Sequence, residues 1–138
     1  MNLFATLHDY ITRFVVPDVV GFTVSREKVP AKTLAAITVE FPRDASHGDV
    51  STNAAMVLAK PLGKSPRDIA QEMLESLQQF LHMEEVSVAG PGFINMRLKS
   101  DFWRSVLPEI INNAAHYGES TIGEGQSVNV EYVSANPT

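Results

Sequence analysis

The chain has 138 residues, 44% hydrophobic and 20% charged, which is enough for one compact domain with a core and unlike a disordered or fibrous chain. Its net charge of −5, from 11 Lys and Arg against 16 Asp and Glu, argues against binding nucleic acid by bulk electrostatics. Without cysteine there is neither a disulfide framework nor a thiolate metal site, and no apolar run is long enough to span a bilayer.

Asp9 and its polar neighbours disqualify the N-terminus as a signal peptide, so a soluble, cytoplasmic protein is expected. The charge is uneven. Residues 1–70 hold 8 basic and 7 acidic groups, and residues 71–138 hold 3 and 9. Any contact with nucleic acid must be local, and weak by itself, because phosphate neutralisation supplies much of such affinity.

Leu3, Phe4, Leu7, Ile11, Phe14 and Val15 recur at helical spacing and predict an amphipathic opening helix that Pro17 stops. Residues 18–35 carry no clear period, since Gly21 and Pro30 interrupt it. Ile37 to Phe41 alternates and predicts a strand ending at Pro42, followed by the polar loop Arg43–Asp49. Residues 52–60 predict a short helix, with Asp49 or Ser51 to cap it and Pro61 to end it.

Ser65-Pro66-Arg67-Asp68 is a helix start: a capping hydroxyl, proline at the first helical position and an acid in the first turn. Ile69, Ala70, Met73, Leu74, Leu77 and Leu81 form its expected buried stripe. A hairpin follows. Val86 and Val88 alternate with small or polar neighbours, and Gly90-Pro91-Gly92 predicts a tight turn of type II. The second strand sorts Ile94, Met96 and Leu98 to one face and Phe93, Asn95 and Arg97 to the other.

Ser100 and Asp101 open a further helix whose stripe is Phe102, Trp103, Val106, Leu107, Ile110, Ile111 and Ala114. Pro108 should kink it and Gly118 should close it. After a linker, Val128 to Val133 alternates as one more strand. The fold class is α+β, a small antiparallel sheet of about three to four strands packed against several helices. The expected division is a domain over 1–118, a linker over 119–126 and a final strand-bearing segment over 127–138.

Most chemistry-bearing residues have ordinary readings. His8, His47, His82 and His116 lack ligand spacing. Ser46, His47 and Asp49 are of hydrolytic types, but neighbours in sequence cannot form a triad. Gly90-Pro91-Gly92 is too short to cradle a phosphate. Lys60, Lys64 and Arg67 surround a helix start and read either as a phosphate platform or as a solvated turn. Phe93 and Asn95 are sharper. Spacing alone leaves two readings open, packing against another helix or stacking a base while bonding its edge. Loop bases in RNA are the parts most readable in the second way.

Four stretches bear on that choice: Asp44-Ala-Ser-His-Gly-Asp49, Thr52-Asn53-Ala-Ala-Met-Val-Leu-Ala-Lys60, Ala89-Gly-Pro-Gly-Phe-Ile-Asn95 and Val130-Glu-Tyr-Val-Ser-Ala-Asn-Pro-Thr138. In this order they closely resemble bacterial arginyl-tRNA synthetases, specifically the N-terminal additional domain plus the first strand of the class I catalytic domain. The resemblance implies that the domain leans on the tRNA elbow and that Phe93 and Asn95 hold a D-loop base. Arg97, Lys60, Lys64 and Arg67 are then candidate phosphate contacts. It also implies that Glu131, Ser134 and Asn136 belong to an incomplete arginine site.

The ATP-binding His-x-Gly-His signature should begin shortly after Thr138, so a fragment without catalytic residues, metal or cofactor of its own is expected. The parent enzyme would use ATP and magnesium to join arginine to its tRNA. The partners implied are arginine tRNA and the parent's catalytic domain, with no membrane and no DNA. A reading of a different class also stands: a structural or protein-interaction domain that dimerises through its orphan C-terminal strand.

Overall fold

A computed structural model describes residues 3–21, 29–119, 121, 123 and 125–130. Helix α1 (Leu3–Tyr10) continues through a π-helical stretch (Ile11–Val15) into α2 (Val16–Val20). Pro17 therefore does not stop the helix. The π stretch resets the bonding register just before it, so the proline stands in the first turn of a new segment, where it has no donor to lose. Gly21, at φ +81°, ends the run instead, its N–H donating to the Pro17 carbonyl at 2.8 Å.

Leu7, Ile11, Val15 and Val16 are buried as the stripe requires. Phe14 is not; it lies exposed beside the ring of Tyr10, with centroids 5.5 Å apart. A short helix α3 (Ala31–Leu34) precedes strand β1 (Val39–Glu40), which is shorter than the alternating run suggested. It is an edge strand that pairs over two residues, Val39 with Thr52 and Glu40 with Ser51. The polar loop then makes a single 3₁₀ turn, Ala45–His47.

Strand β2 (Val50–Thr52) was not anticipated, and the expected helix over 52–60 begins only after it, as α4 (Ala54–Leu62). Neither Asp49 nor Ser51 caps α4. Thr52 Oγ1 accepts from the Ala54 N–H at 3.2 Å, while Asn53 Oδ1 reaches back to the Thr38 N–H at 2.8 Å. Pro61 lies inside α4 rather than ending it; left-handed Gly63, at φ +62°, does that. Helix α5 (Pro66–Gln78) starts as expected, Ser65 Oγ accepting from the Asp68 N–H at 3.1 Å. Ile69, Ala70, Met73 and Leu77 are buried and Leu74 half-buried, but Leu81 lies beyond the helix and is exposed.

Strands β3 (Met83–Ala89) and β4 (Phe93–Leu98) form the hairpin. Gly92 donates to the Ala89 carbonyl at 3.2 Å, so Gly90 and Pro91 are the central pair. Positive φ falls at the first of them, Gly90 at +53°, the reverse of the order a type II turn has. Glycine at the first central position suits the right-handed twist of paired strands. Among the described residues the sheet has four strands in the order β1-β2-β4-β3, every pair antiparallel, with β4 in the interior.

Register builds the core. Val50, Met96 and Val86 form one row and Thr52, Ile94 and Val88 the next, all on the face that packs with the buried residues of α1, α4 and α5. Helix α6 (Ser100–Asn113) follows β4 and runs past Pro108 into a 3₁₀ turn (Ala114–His116). Its expected burial fails. Phe102 is buried and Val106 partly so, and through these two α6 meets the core, while Trp103, Leu107, Ile110, Ile111 and Ala114 are exposed. Gly118, at φ +92°, lies beyond the 3₁₀ turn, so it does not close the helix. Residues 126–130 form no strand, with Val128 and Val130 exposed. The rest of that expected strand lies outside the described residues. Among the described residues no helix is long and apolar enough to cross a membrane.

Candidate nucleic-acid interface

The outer face of the sheet is set by the same alternation that builds the core. Glu40, Ser51, Asn95 and Ser87 form a row across all four strands, with Phe93 beside Ala89 and Arg97 beside Glu85 in the flanking rows. Phe93, Asn95 and Arg97 thus share a face, as the spacing predicts. They do not share an environment. Phe93 is 37% exposed, Arg97 is half-buried and Asn95 is only 6% exposed, because β4 is an interior strand walled by β2 and β3.

Two grooves open over this face. One, of about 350 Å³, has Phe41, Phe93, Ser51, Asn95, Arg43 and His47 among its lining residues. The other, of about 210 Å³, adds Ser46, Glu85, Ser87 and Arg97, and shares His47, Ala89 and Asn95 with the first. Ser51 is 7% exposed, and neither its hydroxyl nor the Asn95 amide hydrogen-bonds to any other described residue. No buried side-chain polar atom among the described residues lacks a partner, so these two groups open into the groove, where they can bond to water or to something bound there.

Arg97 is already engaged. Its Nη2 donates to the Ser46 carbonyl at 3.2 Å, and its Nε stands 4.0 Å from Glu85 Oε2. Its expected role as a phosphate contact is therefore shared with holding the 43–49 loop. Asp49 pins that loop too, its Oδ2 accepting from the Leu98 N–H at 2.8 Å and its N–H donating to the Met96 carbonyl at 2.9 Å. Gly48 approaches β4 so closely that a Cβ there would lie 2.7 Å from the Met96 oxygen. Asp44 Oδ1 accepts from the Ser46 N–H at 2.8 Å and caps the 3₁₀ turn. Hydrogen bonding from Ser46, side chain first and backbone second, holds the Asp44 carboxyl below its ordinary pKa, and His47 adds to the effect.

The remaining basic residues stand elsewhere. Lys64 Nζ is paired with Glu72 at 2.8 Å, an exposed ion pair that a phosphate would have to compete with, while Lys60 and Arg67 are exposed. None of the three lines either groove. Arg67 does lie at the hairpin's end of the molecule, because Gly92 packs against Pro66. Glu131, Ser134 and Asn136 lie outside the described residues. Among the described residues no group of His, Asp or Glu is placed to hold a metal ion.

Sequence reasoning missed Phe41, Arg43, Ser51 and Ser87. Reading Val50–Thr52 as a strand beside the hairpin would have found Ser51, since a three-residue strand has one outward side chain. Among the lining residues of the two grooves, Arg43 and Arg97 are offset by Glu40 and Glu85. A near-neutral, partly aromatic floor fits an uncharged ring with a hydrogen-bonding edge better than a run of phosphates.

Comparison with known proteins shows the family. The family model described as the arginyl tRNA synthetase N terminal domain matches residues 19–98. An arginine–tRNA ligase of Rhizobium etli (strain CIAT 652) is 58% identical over 113 residues, 82% of this chain and 19% of the relative. Those of Rhizobium meliloti (strain 1021) and Jannaschia sp. (strain CCS1) are 50% and 48% identical across 100% of the chain, which is 23% of each relative. The chain thus spans 19% to 23% of the length of these curated relatives. The chain belongs to the family of arginyl-tRNA synthetase N-terminal domains.

Proposed function

We propose that this domain binds the D-loop of arginine tRNA on behalf of a longer arginine–tRNA ligase, with Phe93 stacking a loop base and Asn95 bonding its edge. One observation carries the proposal: a largely buried Asn95 whose amide bonds to no described residue and is open to the groove, beside a half-open aromatic ring on the same sheet face. The parent's catalytic part supplies ATP and magnesium chemistry in the cytoplasm, and residues 127–138, with Glu131, Ser134 and Asn136, begin its arginine site. Arg97, Lys60 and Arg67 contribute weak phosphate contacts at the margin.

The test is titration of arginine tRNA against the chain and its Phe93→Ala/Asn95→Ala variant, with folding checked by circular dichroism. Stacking of one base contributes ~1–3 kcal/mol, so the variant should bind roughly tenfold or more weakly. Equal affinities, where the unaltered chain binds measurably, refute the reading.

The second reading, a structural or protein-interaction domain, is favoured by the exposed apolar face of α6, formed by Trp103, Leu107, Ile110 and Ile111. Light scattering that shows a dimer, together with absence of RNA binding, would establish it over the first.

A further inference from the structure

The 43–49 loop is pinned to β4 at four points, yet the base-binding reading gives it no task. The pins are Arg97 to Ser46, two bonds from Asp49, and the glycine contact at Gly48. A loop with one fixed conformation presents its side chains with little ordering loss on binding. Arg43, at its start, and Phe41, two residues before it, line the larger groove. Phe41 is 69% exposed, an aromatic ring that the core does not use. Its orientation is nevertheless set, because Phe4 meets it edge-on with centroids 4.8 Å apart at 80°. Arg43 is exposed and makes no ion pair with any described residue, whereas Arg13, Lys64 and Arg97 each have an acidic neighbour.

We propose that Phe41, Arg43 and Ser51 form the second half of the nucleotide site. Phe41 supplies a second stacking ring in the groove, Arg43 contacts the phosphate of the same unpaired nucleotide, and Ser51 bonds the base edge beside Asn95. The ligand class is a single-stranded RNA loop, and the proposal rests on the base-binding reading of Phe93 and Asn95. The chemistry divides the labour. The groove floor carries two unpartnered polar side chains within reach of one planar edge, Ser51 and Asn95 being register partners on adjacent strands. The walls carry rings, and the rim carries one unpaired guanidinium, suited to phosphate because of its fork of donors.

The experiment measures binding of an arginine tRNA transcript at several salt concentrations to the chain and to Phe41→Leu, Arg43→Gln, Ser51→Ala and Phe93→Ala. Phe41→Leu keeps an apolar contact with Phe4 and loses only the stacking face, so it guards against a folding defect. The proposal expects Phe41→Leu to weaken binding roughly tenfold while the salt dependence stays unchanged. Arg43→Gln should flatten the slope of log K against log salt by about 0.7, one single-strand phosphate contact. Ser51→Ala should weaken binding with the slope intact. If Phe93→Ala weakens binding and the other three do not, this inference falls and the base-binding reading survives. If all four bind as tightly as the unaltered chain, both fall.

Discussion

Adding one methyl group at Gly92 should be among the most damaging small changes available to this domain. Gly92 has φ +138°, a conformation essentially confined to glycine, and an ideal Cβ there would stand 2.7 Å from Pro66 Cβ and 3.0 Å from its carbonyl carbon. Backbone strain of this kind costs about 1–3 kcal/mol. Forcing a carbon into an occupied site costs about 1–3 kcal/mol more, and the obstacle here is a proline in the first turn of α5 rather than a flexible side chain. The two together give about 2–6 kcal/mol, against a stability of about 5–15 kcal/mol for a domain of this size.

Gly90 is the control. It also has positive φ, +53°, but a Cβ there meets nothing within 4 Å, so Gly90→Ala should cost about 1–2 kcal/mol. Urea denaturation of both variants, followed by circular dichroism, measures the difference. With a slope of about 1.5 kcal/mol per molar, a 3 kcal/mol loss moves the midpoint by about 2 M. Equal midpoints for the two variants would refute the claim that the hairpin is seated on the start of α5. That seating matters for function because Phe93 is the next residue in the chain.

Three further outcomes follow from the fold. Phe102→Ala should cost about 3–5 kcal/mol in the same assay, whereas exposed Trp103, held chiefly by an edge contact to Phe102 at 5.1 Å, should cost about 1 kcal/mol as Trp103→Ala. Thr52→Val removes an O–H donor to the Thr38 carbonyl (2.7 Å) and the acceptor of the Ala54 N–H; at a buried site that should cost about 1–3 kcal/mol by chemical denaturation. The Asp44 carboxyl, whose pKa is lowered in the folded chain, adds stability above its unfolded pKa of about 3.9 that is lost as pH falls through its folded value; carbon-detected NMR titration should show it ionising below the ordinary aspartate value, and Ser46→Ala should raise it.

Much of this architecture is legible from residue order. Ser65-Pro66 marks the start of α5, and alternation over Phe93–Leu98 separates the core face from the outer face. Both signals are local, and local signals are what a sequence displays directly. The misses have physical causes as well. Val50–Thr52 is too short to show a period, so the helix expected over 52–60 takes in Thr52 and nothing marks Val50 and Ser51 as a strand. That omission hid the burial of Asn95, since only a strand on each side of β4 turns an outward side chain into a groove floor.

Pro17 looks like a stop because the π stretch that accommodates it leaves no mark on hydrophobic spacing. The stripe of α6 shows a different limit: periodicity reveals that Trp103, Leu107 and Ile110 share a side, but not whether anything covers them. Of the candidate site, spacing found Phe93, Asn95 and Arg97. The loop residues beside them became visible only when the chain was folded, because they lie some fifty positions away and meet the strand through hydrogen bonds rather than through a pattern.

The most direct measurement is the effect of arginine tRNA on the side-chain amide signals of Asn95 in a heteronuclear NMR spectrum of the chain. The base-binding account predicts that the Asn95 amide pair and the backbone signals of Phe93 and Ser51 shift or broaden together on titration, while those of Trp103 and Ile111 on α6 stay in place. Binding that moves the α6 signals and leaves Asn95 untouched would contradict it.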